Sequence, residues 1–208
     1  MSVEEKSVVI PDFTELEFDE EKHQYKFCGV VIPSVSEVME PLSKSKYEGI
    51  REDVLDKAAR KGTSVHDAIE TYIKFDIEDI ASEHQGYFDG FLEWWKNAKP
   101  IPVASEVRLY HKVLLYGGTA DLLAYIDGKL TLIDFKTTCV ISDMTCGVQL
   151  EAYAQALESH GIHIESKKIL HLKKDGKWAI IDYPVNDSKR WRVFGSLKCV
   201  YDYLKSYK

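Results

Sequence analysis

Residues 119–137, TADLLAYIDGKLTLIDFKT, constrain the fold more than any other part of the chain. Two strand-like apolar runs are separated by Asp127-Gly128, a dipeptide that favours the type I′ turn of a two-residue β-hairpin. A turn at this point fixes the register of the two strands, and it places Asp121 and Asp134 nearly opposite each other. The segment therefore predicts an antiparallel hairpin that carries a close pair of carboxylates.

Before the hairpin, the pattern predicts a short antiparallel meander followed by helices. Residues 15–32 alternate polar and apolar side chains, which is typical of strands. Ser34 or Ser36 can cap a helix over Val35–Met39, and Glu37 stands at capping-box spacing from Ser34. Further helices are predicted over residues 46–61 and over VHDAIETYIKF, the second beginning at Thr63 or Ser64. A third is predicted over about 83–98, and its buried stripe consists of Phe88, Phe91, Leu92 and Trp95.

Strands and helices alternate from this point onward. PVASEVRLYH adds a strand before the hairpin, and residues 144–160 return to helical periodicity. KKILHLKK and KWAIIDYP pair through Asp175-Gly176, and a last helix covers about 188–205. From residue 63 onward the order is helix, three strands, helix, strand, which predicts a mixed central sheet flanked by helices.

Composition favours a soluble globular protein of one domain, with 208 residues, 45% of them apolar and 29% charged. No apolar run approaches the roughly 18–20 residues that cross a bilayer. The first residues are acidic and do not form a positively charged leader. A cytoplasmic protein without membrane contact is therefore expected. The net charge of −7 coexists with basic clusters at residues 44–61 and 189–192, so charge neither supports nor excludes a nucleic-acid partner.

Asp134 and Lys136 stand two residues apart on the second hairpin strand, so their side chains point to the same face. A carboxylate can hold a divalent cation while the ammonium lies against the attacking water or the scissile phosphate, which suits phosphodiester hydrolysis. The acid-x-lysine triplet occurs seven times in the chain, but only this one follows an apolar strand, where charges are costly to bury. A structural salt bridge is the alternative.

Other positions near this pair have both chemical and purely structural interpretations. Asp121 and Asp134 would repel each other unless a hard cation such as Mg²⁺ joined them. Gly117 and Gly118 leave backbone space that a polymer substrate would need, or they form a bulge or turn. His66 lies beside apolar positions of its helix, where a satisfied core histidine is the alternative.

The ordered series of motifs resembles the RecB-like branch of the PD-(D/E)XK nucleases, which includes many phage exonucleases. The motifs are G-T-S-V-H (62–66), Glu106, G-G-T-A-D (117–121), I-D-F-K-T (133–137) and Q-L-E-A-Y (149–153). Taken singly, Glu106 also suits a sheet-edge acid, and Gln149 with Tyr153 a helix-surface pair. The resemblance spans about 62–153 and the strand at 167–172, and residues 23–38 resemble the opening of phage members.

The resemblance implies an α/β (α+β) fold with a restriction-endonuclease-like core of order αβββαβ. A single domain is expected over 1–208, with the core at about 62–173. Residues 1–61 would add the N-terminal meander and helices, and residues 174–208 a C-terminal hairpin and helix.

The resemblance also implies the roles of individual residues. His66, Asp121 and Asp134 would ligate a catalytic Mg²⁺ or Mn²⁺, joined by the backbone carbonyl of Phe135. Lys136 would position or help deprotonate the attacking water, and Glu106 would be a catalytic acid near the metals. Contacts to nucleic acid are expected from Gln149, Tyr153, Arg60, Lys61 and Thr137.

These expectations together describe a divalent-metal-dependent deoxyribonuclease, expected to act as an exonuclease in DNA recombination, repair or phage DNA processing. The cysteine set that holds an iron–sulfur cluster in some relatives is missing, so no such cluster is expected. No G-x-x-x-x-G-K-[ST] motif occurs, so a recombination or helicase partner would be a separate chain. Two alternatives stay open: a catalytically silent nucleic-acid-binding module, and a structural or regulatory adaptor that binds no metal.

Overall fold

Two sheets and six helices make up the described part of the chain, residues 8–47 and 49–207 of a computed structural model. The first sheet contains β1 (Leu16–Asp19), β2 (Gln24–Phe27) and β3 (Val30–Ile32). The second contains β4 (Ile101–Tyr110), β5 (Gly117–Ile126), β6 (Lys129–Lys136), β7 (Ser166–Leu172) and β8 (Trp178–Tyr183), adjacent in that order. The helices are α1 (Val35–Val38), α2 (Glu40–Tyr47), α3 (Glu52–Phe75), α4 (Gln85–Ala98, after a 3-10 turn at Ser82–His84), α5 (Asp143–Glu158) and α6 (Ser188–Lys205).

This architecture confirms the predicted mixed sheet flanked by helices, with an N-terminal meander. Residues 1–7 and 208, the ends of the predicted single domain, lie outside the described residues, as does residue 48. The predicted domain bounds therefore stay a prediction.

The β5–β6 hairpin forms as its sequence predicts. Asp127 and Gly128 have φ angles of 50° and 74°, the two positive values that a type I′ turn requires. Ile126 then pairs with Lys129, and the same register pairs Leu122 with Ile133. Because strand side chains alternate between faces, this register puts Asp121 and Asp134 at the next step of the ladder and on one face.

The second half of the sheet changes direction after β6. β6 pairs with β7 in parallel, with Lys136 opposite His171, and helix α5 makes the connection between them. Helices α3 and α4 cover one face, where Phe91 packs near Ile133, and α5 and α6 cover the other, where Leu150 belongs to the same cluster as Leu132. The carboxyl end of β6 therefore lies between two layers of helices.

The N-terminal meander packs against the edge of the large sheet through β4. Tyr25 of the meander belongs to one buried cluster with Tyr110 of β4, and Ser34 forms a parallel bridge with Gly117. Ser34 caps α1 in a complete capping box with Glu37, which confirms the predicted cap and selects Ser34 over Ser36. The meander thus forms a wall beside the start of β5.

Three predictions about the helices were wrong in detail. A break was expected at Gly62, but α3 runs without interruption through it, and the hydroxyl of Thr63 donates to the Ala59 carbonyl instead of capping a new helix. The helix also begins at Glu52 rather than at residue 46. In α4, Phe88 and Phe91 are buried as predicted, but Trp94 is the buried tryptophan, while Leu92 and Trp95 are only half-buried.

A buried ion pair holds α5 onto the sheet. Glu151 and Lys167 are 0% and 1% exposed and pair with each other. Glu151 also accepts hydrogen bonds from the side chain of Gln155 and from the backbone N–H of Asp187. A buried charge pair is stable only when its remaining polar atoms also form hydrogen bonds, as those of Glu151 do here. The pair therefore fixes the position of α5, the helix that carries Gln149 and Tyr153.

The longest helices of the described chain are α3, with 24 residues, and α6, with 18. Both carry charged side chains along their length. No helix within residues 8–47 and 49–207 is long and apolar enough to cross a membrane.

A pair of glycine substitutions should separate packing from helix propensity. A Cβ on Gly86 of α4 would lie 2.0 Å from the carbonyl oxygen of Lys174, whereas one on Gly195 of α6 would meet no heavy atom of the described chain within 4 Å. Gly86→Ala should therefore lower the free energy of unfolding by about 1–3 kcal/mol. Gly195→Ala should raise it by about 0.5–1 kcal/mol.

Urea denaturation of the two variants beside the unsubstituted protein measures both effects. Equal stability of the two variants would contradict the close packing of α4 against the β7–β8 turn.

Candidate active site

Three neighbouring strands each bring one acid to the same level of the sheet. The register of β5 and β6 places Asp121 beside Asp134. On its other side, Ser105 pairs with Leu122 and Val107 with Ala120, so Glu106 of β4 lies across from Asp121. A strand order of β4, β5, β6 therefore sets three carboxylates in a row.

His66 of α3 completes a cluster with two of these acids. Ligand atoms of His66, Glu106 and Asp121 all lie within 4.8 Å of one another. The His66 Nδ1 is 3.5 Å from Asp121 Oδ1, and its Nε2 lies 3.0 Å from the carbonyl oxygen of Phe135. Because a carbonyl only accepts, Nε2 carries a proton and Nδ1 faces the carboxylates. We call His66, Glu106 and Asp121 the histidine–carboxylate cluster.

Asp121 is held in place by the strand next to it. Its Oδ2 accepts a hydrogen bond of 2.6 Å from the backbone N–H of Phe135, and its residue is 7% exposed. Burial by itself would raise the pKa of Asp121, but His66 and this hydrogen bond outweigh it and hold the pKa below its usual value. The group is therefore a fixed carboxylate, with Oδ1 left toward His66.

Glu106 has a strained backbone within β4. Its φ is 48°, in the left-handed region that a residue with a Cβ rarely adopts. Such conformations cost on the order of 1–3 kcal/mol and collect at functional sites. Here the strained residue is the one whose carboxylate reaches the histidine–carboxylate cluster.

Asp134 and Lys136 form an ion pair at the edge of this cluster. Lys136 Nζ lies 2.5 Å from Asp134 Oδ2, and their side chains are 21% and 3% exposed. Asp134 Oδ2 is buried and faces the Lys136 ammonium. Burial raises the pKa of Asp134, and the charges of Asp134 and Asp121 outweigh burial to raise the pKa of Lys136.

The remaining pKa shifts report an excess of negative charge. Burial raises the pKa of Glu106 to about 7, and the charge of Asp121 adds to that rise. Burial alone would lower the pKa of His66, but Asp121 outweighs it and raises the pKa to about 9. Glu106 and His66 therefore hold their protons more tightly than usual, in part because the buried carboxylates attract positive charge.

The donor atoms at this place fit a divalent cation. One imidazole nitrogen and two carboxylates converge, which suits Mg²⁺ or Mn²⁺, and Asp134 Oδ2 is a buried anionic oxygen on the neighbouring strand, paired with Lys136. His66, Glu106, Asp121 and Asp134 are the side chains that could hold the ion. The Phe135 carbonyl, whose role as a ligand stays a prediction, accepts a hydrogen bond from His66 Nε2, an arrangement that orients metal-binding imidazoles in other proteins.

Gln149 and Tyr153 lie on α5 beside the ion pair. The Gln149 side chain donates to the Tyr153 hydroxyl at 3.0 Å, and Tyr153 is 4% exposed. A Cβ on Gly118 would lie 2.5 Å from the Tyr153 ring, and one on Gly117 would lie 2.6 Å from the Tyr25 ring. The two glycines were interpreted as open backbone space, or as a bulge or turn, but they make room for two aromatic rings.

The basic residues predicted to contact nucleic acid differ in their surroundings. Arg60 is exposed. Lys61 is tied down, because its Nζ donates to the Thr137 carbonyl at 2.8 Å and to the Tyr87 hydroxyl at 3.3 Å. Thr137 is itself 6% exposed. Lys61 and Thr137 therefore link α3 to the end of β6 in this structure.

A wide groove of about 1640 Å³ leads to the site. It is lined by His66, Glu106, Lys136 and Tyr153, and also by Arg108 and aromatic residues of the meander. The sequence interpretation missed Arg108, although its position two residues after Glu106 placed it on the same strand face. The groove gives an extended ligand access to the cluster.

Comparisons with known proteins agree with this geometry. The family model of the PD-(D/E)XK nuclease superfamily matches residues 36–193. No curated protein matches the chain.

Among solved structures, the chain is similar to an alkaline exonuclease, LHK-Exo, from Laribacter hongkongensis, at 12% identity and a TM-score of 0.37, covering 84% of this chain and 91% of that one. The complex of LHK-Exo with dAMP gives 12% and 0.38, covering 85% and 92%. A structure of SSO0001 gives 12% and 0.36, covering 79% and 84%. Likenesses at this level assign no activity to the chain.

Substitutions at the adjacent residues Arg60 and Lys61 should have different effects on stability. Lys61→Ala removes charged hydrogen bonds to Thr137 and Tyr87, so the free energy of unfolding should fall by about 1–3 kcal/mol. Arg60→Ala removes an exposed side chain and should change it by less than about 0.5 kcal/mol. Urea denaturation measures both, and a Lys61→Ala protein as stable as the unsubstituted one would show that this link contributes nothing.

Proposed function

The chain belongs to the PD-(D/E)XK nuclease superfamily, and we propose that it hydrolyses DNA phosphodiester bonds with a bound Mg²⁺ or Mn²⁺. One observation carries the proposal. In the histidine–carboxylate cluster the potential ligand atoms lie within 4.8 Å of one another, and the cluster lies next to the Asp134–Lys136 pair, at the end of an open groove. Residues from α3, β4, β5 and β6 contribute to one small volume. A merely structural ion pair does not require that convergence.

His66, Asp121 and Asp134 are the proposed metal ligands, with Glu106 beside them. A bound divalent cation would supply a Lewis acid for the phosphoryl oxygen and a more acidic water. Phe135 serves through its backbone, because its N–H fixes Asp121 and its carbonyl orients His66. The Phe135 carbonyl oxygen has two lone pairs, so it could accept the hydrogen bond from His66 and also ligate the ion, as the resemblance implies.

Lys136 is the proposed stabiliser of the charge that develops during hydrolysis. In the reaction, a water oxygen bonds to phosphorus, the bond from phosphorus to the leaving sugar oxygen breaks, and that oxygen gains a proton. The Lys136 ammonium, kept protonated by its raised pKa, lies where it can donate to the attacking water or to the phosphate. Asp134 holds the ammonium near that position.

We further propose exonuclease action, with roles in DNA recombination, repair or phage DNA processing, on the basis of the motif resemblance. Contacts from Gln149 and Tyr153 to the DNA are part of the same proposal, as is the exposed Arg60. Lys61 and Thr137 would contribute through the position of the loop after β6, since their polar groups already bind each other. A silent DNA-binding module is the alternative that the first experiment tests.

Metal-dependent cleavage is the first expectation. End-labelled linear DNA should be degraded with Mg²⁺ or Mn²⁺ and stay intact with EDTA, and closed circular DNA should resist if cleavage starts from an end. The same ions should raise the melting temperature, because a ligand that binds only the folded state stabilises that state. At a hundredfold excess of free ion over Kd, the free energy of unfolding rises by about 2.7 kcal/mol.

Asp121→Asn should abolish both the cleavage and the thermal shift, and Asp89→Asn, at an exposed acid on α4, should preserve both. DNA binding without cleavage under every metal condition would favour the silent module. Undiminished cleavage in EDTA would exclude the metal-dependent mechanism.

Lys136→Ala should separate catalysis from scaffolding. Loss of one charge-stabilising donor should reduce turnover by about 10²–10³-fold, with little change in DNA affinity, because many contacts share the phosphate charge. Lys129→Ala, an exposed lysine at the far end of the same strand, is the matched control and should cut at the normal rate.

Rates are measured well below the melting temperature of each variant, since breaking the pair with Asp134 also removes stability, by up to about 3–5 kcal/mol for a buried pair. A Lys136→Ala protein that is folded and cuts at the normal rate would limit Lys136 to a structural role.

A further inference from the structure

The wall of the groove formed by the meander and β4 carries π-systems and a cation that the proposed chemistry does not use. Phe18 comes from β1, Tyr25 from β2 and His23 from the turn between them, and Arg108 comes from β4. All four line the groove that also contains His66, Glu106 and Lys136. We call Phe18, His23 and Arg108 the aromatic wall.

The guanidinium of Arg108 lies over the Phe18 ring. Its guanidinium carbon is 4.9 Å from the centre of the Phe18 ring, and Phe18 is supported in turn by Tyr25, with ring centres 4.6 Å apart. Arg108 Nη2 also bonds Glu20 Oε1 at 2.8 Å, and the Arg108 side chain remains 48% exposed. A surface ion pair of this kind contributes little stability, so the contact positions the guanidinium more than it strengthens the fold.

His23 presents a second planar group beside it. The residue has a left-handed φ of 52°, is exposed, and its ring meets Phe18 edge-on at 5.1 Å. The partly buried Phe18 ring of the meander therefore has an imidazole and a guanidinium beside it. Planar cations and imidazoles are groups on which nucleobases stack regardless of sequence.

The aromatic wall is close to the cleavage position. Arg108 follows Glu106 by two residues on β4, a step of about 6.6 Å along a strand. Arg108 also pairs with Thr119 in the sheet, and the Thr119 hydroxyl shares a hydrogen bond of 2.7 Å with Tyr25. The sheet that carries the cluster and the meander that carries the wall are thus fixed to each other at this point.

We propose that the aromatic wall is a stacking subsite for an unpaired nucleobase next to the scissile phosphate, so that the site takes single-stranded DNA. This inference rests on the proposed function for the presence of DNA in the groove. A base within a duplex is covered on both faces by its neighbours, whereas a base of a single strand can turn sideways onto Arg108 and His23. Duplex ends would then have to be opened before the terminal strand could enter.

Fluorescence of 2-aminopurine tests the stacking directly. A short single strand carrying 2-aminopurine near one end is titrated with the full chain, with Ca²⁺ in place of Mg²⁺ and strand integrity checked on a denaturing gel. Binding should quench the base at one position of the strand, and the same strand annealed to its complement should show no such additional quenching.

Two substitutions at Arg108 distinguish a stacked plane from a simple charge. Arg108→Ala should remove the quenching and weaken single-strand binding at least about fivefold, the lower range for loss of one stacked base. Arg108→Lys should have nearly the same effect, because lysine keeps the charge but offers no plane. Lys129→Ala removes an exposed positive charge at the far end of the sheet and should leave both readouts unchanged.

Normal quenching and affinity in Arg108→Lys would overturn the proposal in favour of a phosphate contact. Equal losses for single and double strands, or no quenching by the unsubstituted protein, would also overturn it. The measurement needs no cleavage. If the protein cuts DNA without quenching the base, the proposed function stands and the stacking subsite is contradicted. If it quenches the base without cutting DNA, the subsite stands and the proposed function is contradicted.

Discussion

Repulsion between the buried carboxylates of Asp121 and Asp134 is the constraint around which the surrounding structure is organised. The hairpin register forces the two acids to neighbouring positions on one face, where water cannot screen their charges. Lys136 lies against one of them, while His66 and the Phe135 N–H hold the other. The fold keeps this local conflict because the rest of the sheet fixes the strands, and the conflict is what a divalent cation would relieve.

Much of this arrangement follows from short-range sequence rules. Asp127-Gly128 determines the turn and therefore the register, and the alternation of strand side chains then brings Asp121 and Asp134 together. Ser34 and Glu37 identify a helix start in the same way, because a capping box is satisfied within four residues. Features that depend on local hydrogen bonding and on period-two alternation were therefore predictable from the sequence.

Features that depend on packing between distant segments were not. Gly62 is a helix breaker by propensity, yet α3 continues through it, since contacts along the sheet outweigh a cost of about 1 kcal/mol. Lys61 seemed free to bind nucleic acid, but the Thr137 carbonyl that it binds is 76 residues away in sequence. The left-handed φ of Glu106 has no local signal at all, because an acid within a strand pattern gives no indication of a strained backbone.

The parallel pairing of β6 with β7 has a consequence for how the protein is made. Lys136 lies opposite His171, and 35 residues of chain, including a whole helix, must be synthesised and folded before that pairing exists. Contacts of such sequence separation form late and slowly, since the loop must close before the pairing stabilises it. A nascent chain that already contains every residue of the cluster would still lack the neighbouring strand that holds the end of β6, so a growing polypeptide passes most of its synthesis without a working centre.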